Sequence, residues 1–518
     1  MKVVTAAEIR EIDRITIEEL GIPSLTLMEL AGVTAARHIC KRYSPQKTVI
    51  LCGGGNNGGD GLVIARELSN NYGFDVKVIM MSEPQSPDCK SQYIIARNFG
   101  IDIVIKTAID HSDISDALII DAIVGTGLNK PIENHLLSAI NLINLCKDVV
   151  SIDIPSGISS DTGQVFGLGV KAGMTVTFGL PKIGQLMFPG RERCGELVVE
   201  NIGLPKRLLE SSEIKCELLD RDYIRTKIPK RQDNSNKSNY GHVLIIGGAS
   251  GKTGAGIMTS RASLRSGSGL VSLGVPISLI NVYQGNAVEQ MVLTLRDNGM
   301  GGFSKDCLSQ IYEFIDKSGS VIVIGPGMGV DSDTIEIVTS LIRNSSVPLI
   351  IDADGINCIS TIRHEERLEL LKGAKAPIIL TPHTGEMARL LSKDKDDFRK
   401  LCTNIEAERL DIARAFSKES GVVLVLKGAS TVISSPDCTT YINITGNSGM
   451  ASGGSGDVLA GMIASFLGQG VSPVEASQIG VYLHGLSGDI SADIKSKYCM
   501  TASDIIENIS LAIKKTIS

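Results

Sequence analysis

Two stretches of this 518-residue chain set an acid among closely spaced glycines. One is Gly53-Gly54-Gly55-Asn56-Asn57-Gly58-Gly59-Asp60-Gly61, the other Asn447-Ser448-Gly449-Met450-Ala451-Ser452-Gly453-Gly454-Ser455-Gly456-Asp457. Glycines leave backbone N–H groups free to approach an anion, and a helix N-terminus adds the positive end of its dipole. An acid placed there can move a proton. In the second stretch Gly453-Gly454-Ser455-Gly456 would let helix N-terminal amides wrap a transferring phosphoryl group. Asp457, in the first turn of an apolar helix, would take a proton from an attacking hydroxyl. A plain helix cap accounts for Asp457 but not for the glycine run before it. A surface turn, likewise, does not need two Asn and an Asp among six glycines.

Neither stretch is the dinucleotide pattern G-x-G-x-x-G, and no Lys-Ser/Thr follows the first. A third glycine segment, Gly247-Gly248-Ala249-Ser250-Gly251-Lys252-Thr253-Gly254-Ala255, imitates a P-loop. Its Lys-Thr pair comes one residue too early after Gly247, so it is rejected as one.

More polar groups stand where strands are expected to end. Asp121 precedes Gly125-Thr126-Gly127-Leu128-Asn129-Lys130-Pro131, and Asp153 precedes Ile154-Pro155-Ser156-Gly157. Farther on come Gly325-Pro326-Gly327-Met328-Gly329, Asp352-Ala353-Asp354, Thr381-Pro382-His383-Thr384-Gly385-Glu386 and Lys427-Gly428-Ala429-Ser430-Thr431. In a parallel sheet ligands bind at the carboxyl ends of the strands, so each set is expected to gather on one edge. Lys427 would put a cation where a nucleotide phosphate sits. The Asp352-Ala353-Asp354 run would orient substrate or magnesium-bound water.

The elements that position these groups alternate. Thr5 and Glu8 form a capping-box pattern, and Ile9, Ile12 and Leu20 mark the helix behind it. A helix is expected at 24–40, strands at 48–52, 76–80, 103–105, 117–121 and 149–154, and a helix through Arg66. The character changes around 201–239, and the boundary is placed near 211–220, giving domains 1–215 and 216–518. Strands are then expected at 242–246, 321–324, 349–352, 378–380 and 422–426. Helices are expected at 405–420, 457–466, 475–495 and 502–514. Such alternation predicts two α/β domains, each a mostly parallel sheet covered by helices on both faces.

Composition narrows the partners. The net charge is −6, there is no Trp and aromatics are 4 %, so nucleic acid is not an expected partner. The 11 cysteines form no C-x-x-C pair, which fits a reducing compartment. No apolar signal core follows Met1-Lys2 and no run is long enough for a membrane span, so a cytoplasmic protein is expected. A homo-oligomer is also expected.

The marks N-N-G-G-D, D-x-x-x-G-T-G and D-I-P-S-G, in that order over residues 1–210, resemble the NAD(P)HX epimerase family. The resemblance implies a Rossmann-like three-layer sandwich. It implies that Asn56, Asn57, Gly58, Gly59, Asp60 and Gly125, Thr126, Gly127, Leu128, Asn129, Lys130, Pro131 hold the hydrated nicotinamide nucleotide, with Asp153 at the reacting centre. By the same carry-over Asn57, Asp121 and Ser156 would bind potassium, for which hard oxygen ligands are suited. From residue 218 onward, G-P-G-x-G, D-A-D, T-P-H-x-G-E, L-K-G-x-x-T and G-G-S-G-D resemble the ribokinase-like NAD(P)HX dehydratase family. That likeness implies catalysis by Asp457 and substrate contacts from Ala255, Gly329, His383 and Asp457. It implies nucleotide contacts from Lys427, Gly428, Ala429, Ser430, Thr431 and Gly456. The implied cosubstrate is ADP in preference to ATP, with magnesium. The rival readings are a small-molecule kinase with a non-catalytic N-terminal nucleotide-binding domain, and a scaffold role for the first half.

Overall fold

The computed structural model describes residues 1–128, 131–132, 134–393 and 398–518. Asn129 and Lys130 of the expected binding segment lie outside the described residues. The chain divides into two compact units, Lys2–Cys216 and Glu217–Ser518, the latter together with Met1.

The first unit carries seven strands: β1 (Lys47–Cys52), β2 (Asp75–Met80), β3 (Asp102–Ile105), β4 (Leu118–Ala122), β5 (Val149–Ile152), β6 (Met174–Phe178) and β7 (Glu196–Glu200). They pair in parallel in the order β3-β2-β1-β4-β5-β6-β7. Alternate residues feed opposite faces, as a period of two requires. Ile50, Cys52, Val78, Ile120 and Val150 enter one apolar cluster, while Val49, Leu51, Ile79, Ile119 and Val149 enter another. Buried on both faces, these strands read as continuous apolar runs, and the unit is a three-layer α/β sandwich.

The second unit contains β8 (Cys216–Leu218), β9 (His242–Ile246), β10 (Leu270–Pro276), β11 (Met291–Leu295), β12 (Val321–Ile324), β13 (Leu349–Ile351), β14 (Ile378–Leu380), β15 (Val423–Leu426), β16 (Thr431–Ser434) and β17 (Thr440–Asn443). Their order is β11-β10-β9-β12-β13-β14-β15-β16-β17-β8. Pairing is parallel from β11 through β15 and antiparallel through β16 and β17. Each unit thus has a topological switch point, between β1 and β4 in the first and between β9 and β12 in the second. Loops leave such a point in opposite directions and open a crevice at the strand ends. Among the described residues no helix is long and apolar enough to cross a membrane.

The α/β architecture expected of both halves is present, with local differences. The capping box at Thr5 forms, but its helix ends at Arg14 and continues as a π-helical turn, Ile15–Glu19. Leu20 is 41 % exposed and lies off the buried face. The strand expected at 149–154 stops at Ile152 because Asp153 turns into the left-handed region, φ +64°. The helix expected at 405–420 is two, Phe398–Ala407 and Arg409–Ser420. The break at Glu408 lets the Arg409 guanidinium turn inward and donate to the carbonyls of Leu426 and Lys427. The polar stretch after 220 holds a short helix, Arg221–Lys227, whose N-cap Asp220 accepts from the Tyr223 amide.

Candidate functional site

In the first unit the turn after β1 is only Gly53-Gly54-Gly55, and the helix Asn56–Tyr72 starts at once. The glycines that follow therefore sit in the helix and serve packing. A Cβ on Gly58 would lie 1.9 Å from the Gly53 carbonyl oxygen, and one on Gly53 would lie 2.0 Å from that of Ile123. Gly59 is pressed against Met28. Close backbone approach brings the helix N-terminus, with its free amides, against the loop leaving β4.

Asp121 is fully buried within β4. Its carboxylate accepts from Ser151 Oγ (2.8 Å), Ser156 Oγ (2.6 Å) and the Ser156 amide (2.9 Å). Burial pushes its pKa up, and these hydrogen bonds pull it partly back. Ser156 Oγ accepts from the Val124 amide, which places it beside Gly125. Close to Gly125 stands the Asn57 side chain, whose buried amide oxygen and nitrogen have no hydrogen-bond partner among the described residues.

Asp153 follows β5. Its Oδ1 lies 2.6 Å from Lys182 Nζ and accepts from Thr177 Oγ1 at 3.1 Å. Lys182 is buried, and its ammonium also donates to Thr177 Oγ1 and the Phe178 carbonyl. The left-handed backbone at Asp153, an uncommon conformation for a residue with a side chain, belongs to this arrangement.

A cavity of about 610 Å³ spans these groups, lined by Asn56, Asn57, Asp60, Gly125, Thr126, Gly127, Asp153 and Lys182, with Asp13 from the first helix. Gly58, Gly59, Leu128 and Pro131 are not part of its lining, and Asp121 and Ser156 support it from outside. Sequence reasoning missed Lys182 and Asp13. Lys182 sits in an apolar-flanked loop without motif character, and Asp13 in an ordinary amphipathic helix.

In the second unit the ends of β13, β14 and β15 converge with the start of a helix. Asp352, after β13, is buried and accepts from Thr381 Oγ1 (2.8 Å), after β14, and from Lys427 Nζ (2.7 Å), after β15. Glu386 Oε2 lies 3.9 Å from the same ammonium. The helix Ser455–Gly468 begins after Gly454, whose φ of +93° suits glycine alone. A Cβ on Gly456 would lie 3.3 Å from Lys427 Nζ and 3.8 Å from Asp352 Oδ2. Asp457 thus enters a crowded electrostatic setting. Burial first, then repulsion from Asp352, raises its pKa to about 7 against the attraction of Lys427. Burial disfavours the Lys427 charge, but Asp352, Glu386 and Asp457 outweigh it and lift its pKa.

The remaining expected residues surround this core. Asp354 accepts from Lys252 Nζ and from the Gly329 amide, each at 2.9 Å. A Cβ on Gly327 would meet that of Ala255 at 3.1 Å, so Ala255 packs on the Gly325-Pro326-Gly327 turn. His383 Nδ1 accepts from the amides of Gly385 and Glu386, capping the helix Thr384–Leu391. The proton of the neutral ring is therefore on Nε2. Gly428 has no side chain where Arg409 reaches in, at 2.5 Å from a would-be Cβ. Sequence reasoning missed Arg409, which holds the 427–431 loop, and His484, whose Nε2 is 3.3 Å from Ser455 Oγ and whose burial lowers its pKa to about 4. A second cavity of about 680 Å³, between Asn357, Arg367, Arg389 and Phe398, includes none of the expected site residues.

The chain has relatives of known naming. Residues 243–511 match the family described as NAD(P)H-hydrate dehydratase, and residues 24–184 the family described as YjeF-related protein N-terminus. It is 38 % identical to a bifunctional NAD(P)H-hydrate repair enzyme of Moorella thermoacetica, over 98 % of this chain and 96 % of that one. It is 37 % identical to one of Thermofilum pendens, over 99 % and 96 %. Among solved structures, an ADP/ATP-dependent NAD(P)H-hydrate dehydratase of Bacillus subtilis, crystallised with ATP and magnesium, shares 25 % identity with a TM-score of 0.48, covering 58 % of this chain and 98 % of that one.

Proposed function

The chain belongs to the family of bifunctional NAD(P)H-hydrate repair enzymes, and from that premise we propose how its two units divide the work. It is an enzyme that repairs hydrated nicotinamide nucleotides. The first unit epimerises the (6R) and (6S) hydrates, and the second, ribokinase-like unit dehydrates the (6S) form. The observation that carries this reading is Asp457, in the first turn of a glycine-preceded helix and poised at a pKa of about 7.

In the second unit Asp457 takes the proton of the C6 hydroxyl as its oxygen attacks the terminal phosphoryl group of ADP. The new O–P bond forms while the bond to AMP breaks. Amides around Gly456 and the Lys427 ammonium meet the charge that develops. The N1 lone pair then expels phosphate from C6, and loss of a C5 proton restores NAD(P)H. Lys427, Gly428, Ala429, Ser430 and Thr431 hold the nucleotide. Ala255, Gly329 and His383 face the hydrate, His383 as an Nε2–H donor. Asp354, in the Asp352-Ala353-Asp354 run, would orient magnesium-bound water, and the ion would offset phosphate charge.

In the first unit Asn56, Asn57, Asp60, Gly125, Thr126 and Gly127 bind the hydrate, and Asp153, paired with Lys182, moves the proton. The residues fit a potassium ion. Asn57 has a buried amide oxygen with no partner among the described residues, and Asp121 and Ser156 add negative charge and oxygen beside Val124, next to Gly125. Bound there, the ion supplies positive charge near the substrate pyrophosphate.

The test is to supply mixed hydrate epimers with ADP or ATP and follow the absorbance of reduced nicotinamide. Full conversion of both epimers to NAD(P)H is expected. A stable phosphorylated product, with no NAD(P)H, would instead make the chain a small-molecule kinase.

A further inference from the structure

The epimerase cavity contains more acid than one proton-transfer group requires. Asp13, Asp60 and Asp153 all line it, on three separate elements. The Lys182 ammonium is committed to Asp153 at 2.6 Å. Among the described residues the Asp13 carboxyl has no hydrogen-bond partner, although it lies near enough to Lys182 and Asp153 to feel both charges. It projects from the helix Ala6–Arg14, one residue beyond buried Ile12, so its position is fixed by packing. The other titratable groups facing this space are Arg10 on the same helix, Asp60, Asp88 and His135.

Inverting a carbon that bears a hydroxyl and a ring nitrogen through loss and return of water needs two proton transfers. The leaving oxygen must gain a proton and the entering one must lose it. We propose that Asp13 is the second catalytic residue of the epimerase unit, an acid that works in the same cavity as Asp153.

The step balances with water as its only co-reactant. Protonated Asp13 gives its proton to the C6 oxygen. The C6–O bond breaks with its electron pair going to the departing water, and the N1 lone pair forms the C6=N1 bond. A water on the other face attacks C6, that electron pair returns to N1, and Asp153 takes the proton from the entering oxygen. The opposite inversion runs with the two roles exchanged. The environment of Asp13 agrees with its role as the acid. Burial first, then repulsion from Asp153, lifts the Asp13 pKa to about 6 despite Lys182. Burial, followed by repulsion from Asp153 and Asp13, also pushes the Asp60 pKa up.

This inference rests on the epimerase reading, and the test separates the two. The full-length enzyme is given purified (6R) hydrate with ADP in water enriched in oxygen-18, and in parallel (6S) hydrate. Wild type should consume the (6R) form faster than it inverts spontaneously, and hydrate inverted without ADP should carry solvent oxygen at C6. Asp13→Asn should slow consumption of the (6R) form by about 10²–10⁴-fold while that of the (6S) form is unchanged. Asp13→Glu should restore part of the rate. The decline in wild-type epimerisation at high pH, where the acid has lost its proton, should vanish from the residual rate of Asp13→Asn. A wild type that never inverts the (6R) form overturns the epimerase reading itself. Inversion at the wild-type rate in Asp13→Asn, or inversion with retention of the original oxygen, overturns only the role of Asp13.

Discussion

Lys427 Nζ and Asp352 Oδ1 stand 2.7 Å apart in an ion pair that underlies the first turn of the helix carrying Asp457. The pair acts on Asp457 from both signs, the carboxylate raising its pKa and the ammonium lowering it. Lys427→Met removes the attractive member only. The pH at which dehydration reaches half its maximum, measured at saturating nucleotide, should move to the alkaline side, and Asp352→Asn should move it to the acid side. Equal midpoints in both variants and wild type would dissociate the pair from the base.

Asp457 works as the carboxylate, so dehydration should rise with pH through about 7. One unit below that midpoint the rate should be about a tenth of the plateau. Asp457→Asn should lose about 10²–10⁴-fold of the dehydration rate and keep epimerisation. Near wild-type dehydration in this variant would remove Asp457 from the mechanism.

Asp153→Asn preserves size and most hydrogen bonding but not the base. With mixed epimers the wild type should run to completion in one fast phase. The variant should show a fast phase for the (6S) form, then a slow one limited by spontaneous inversion. Superimposable progress curves at equal dehydratase activity would mean that the first unit only binds nucleotide.

Nucleotide choice is read from products. ADP should support turnover in preference to ATP and yield AMP and phosphate. Strong activity with ATP and none with ADP would reverse the choice while leaving the enzyme class in place.

What the sequence disclosed followed from contiguity. Asn56, Asp60, Asp153 and Asp457 each sit inside a short run of residue types that announces its chemistry, and parallel-sheet topology brings such runs to one edge. The partners of these groups lie apart in the chain. Lys182 is 29 residues beyond Asp153, and Lys427 is 75 beyond Asp352. Nothing local marks either pair. The glycines around Asn57 were legible as unusual, but their packing was not: Gly58 and Gly59 admit neighbouring backbone and Met28. The break at Glu408 was invisible because an apolar period continues through it, and only the inward turn of Arg409 reveals why the helix stops.

Gly125 lies between two groups of the epimerase cavity. A methyl carbon there would stand 3.2 Å from Asp153 Oδ2 and 3.4 Å from Asn57 Cγ, at a backbone conformation open to alanine. That single hydrogen-for-methyl exchange would act as a stopper, closing off the carboxylate without altering any charge or hydrogen bond. Gly125→Ala should therefore yield a folded chain whose first unit is silenced by shape alone, seen as loss of (6R) consumption with (6S) dehydration retained. The first unit could then be switched off to measure how much cellular hydrate repair depends on enzymatic inversion rather than on the slow spontaneous exchange of the two epimers.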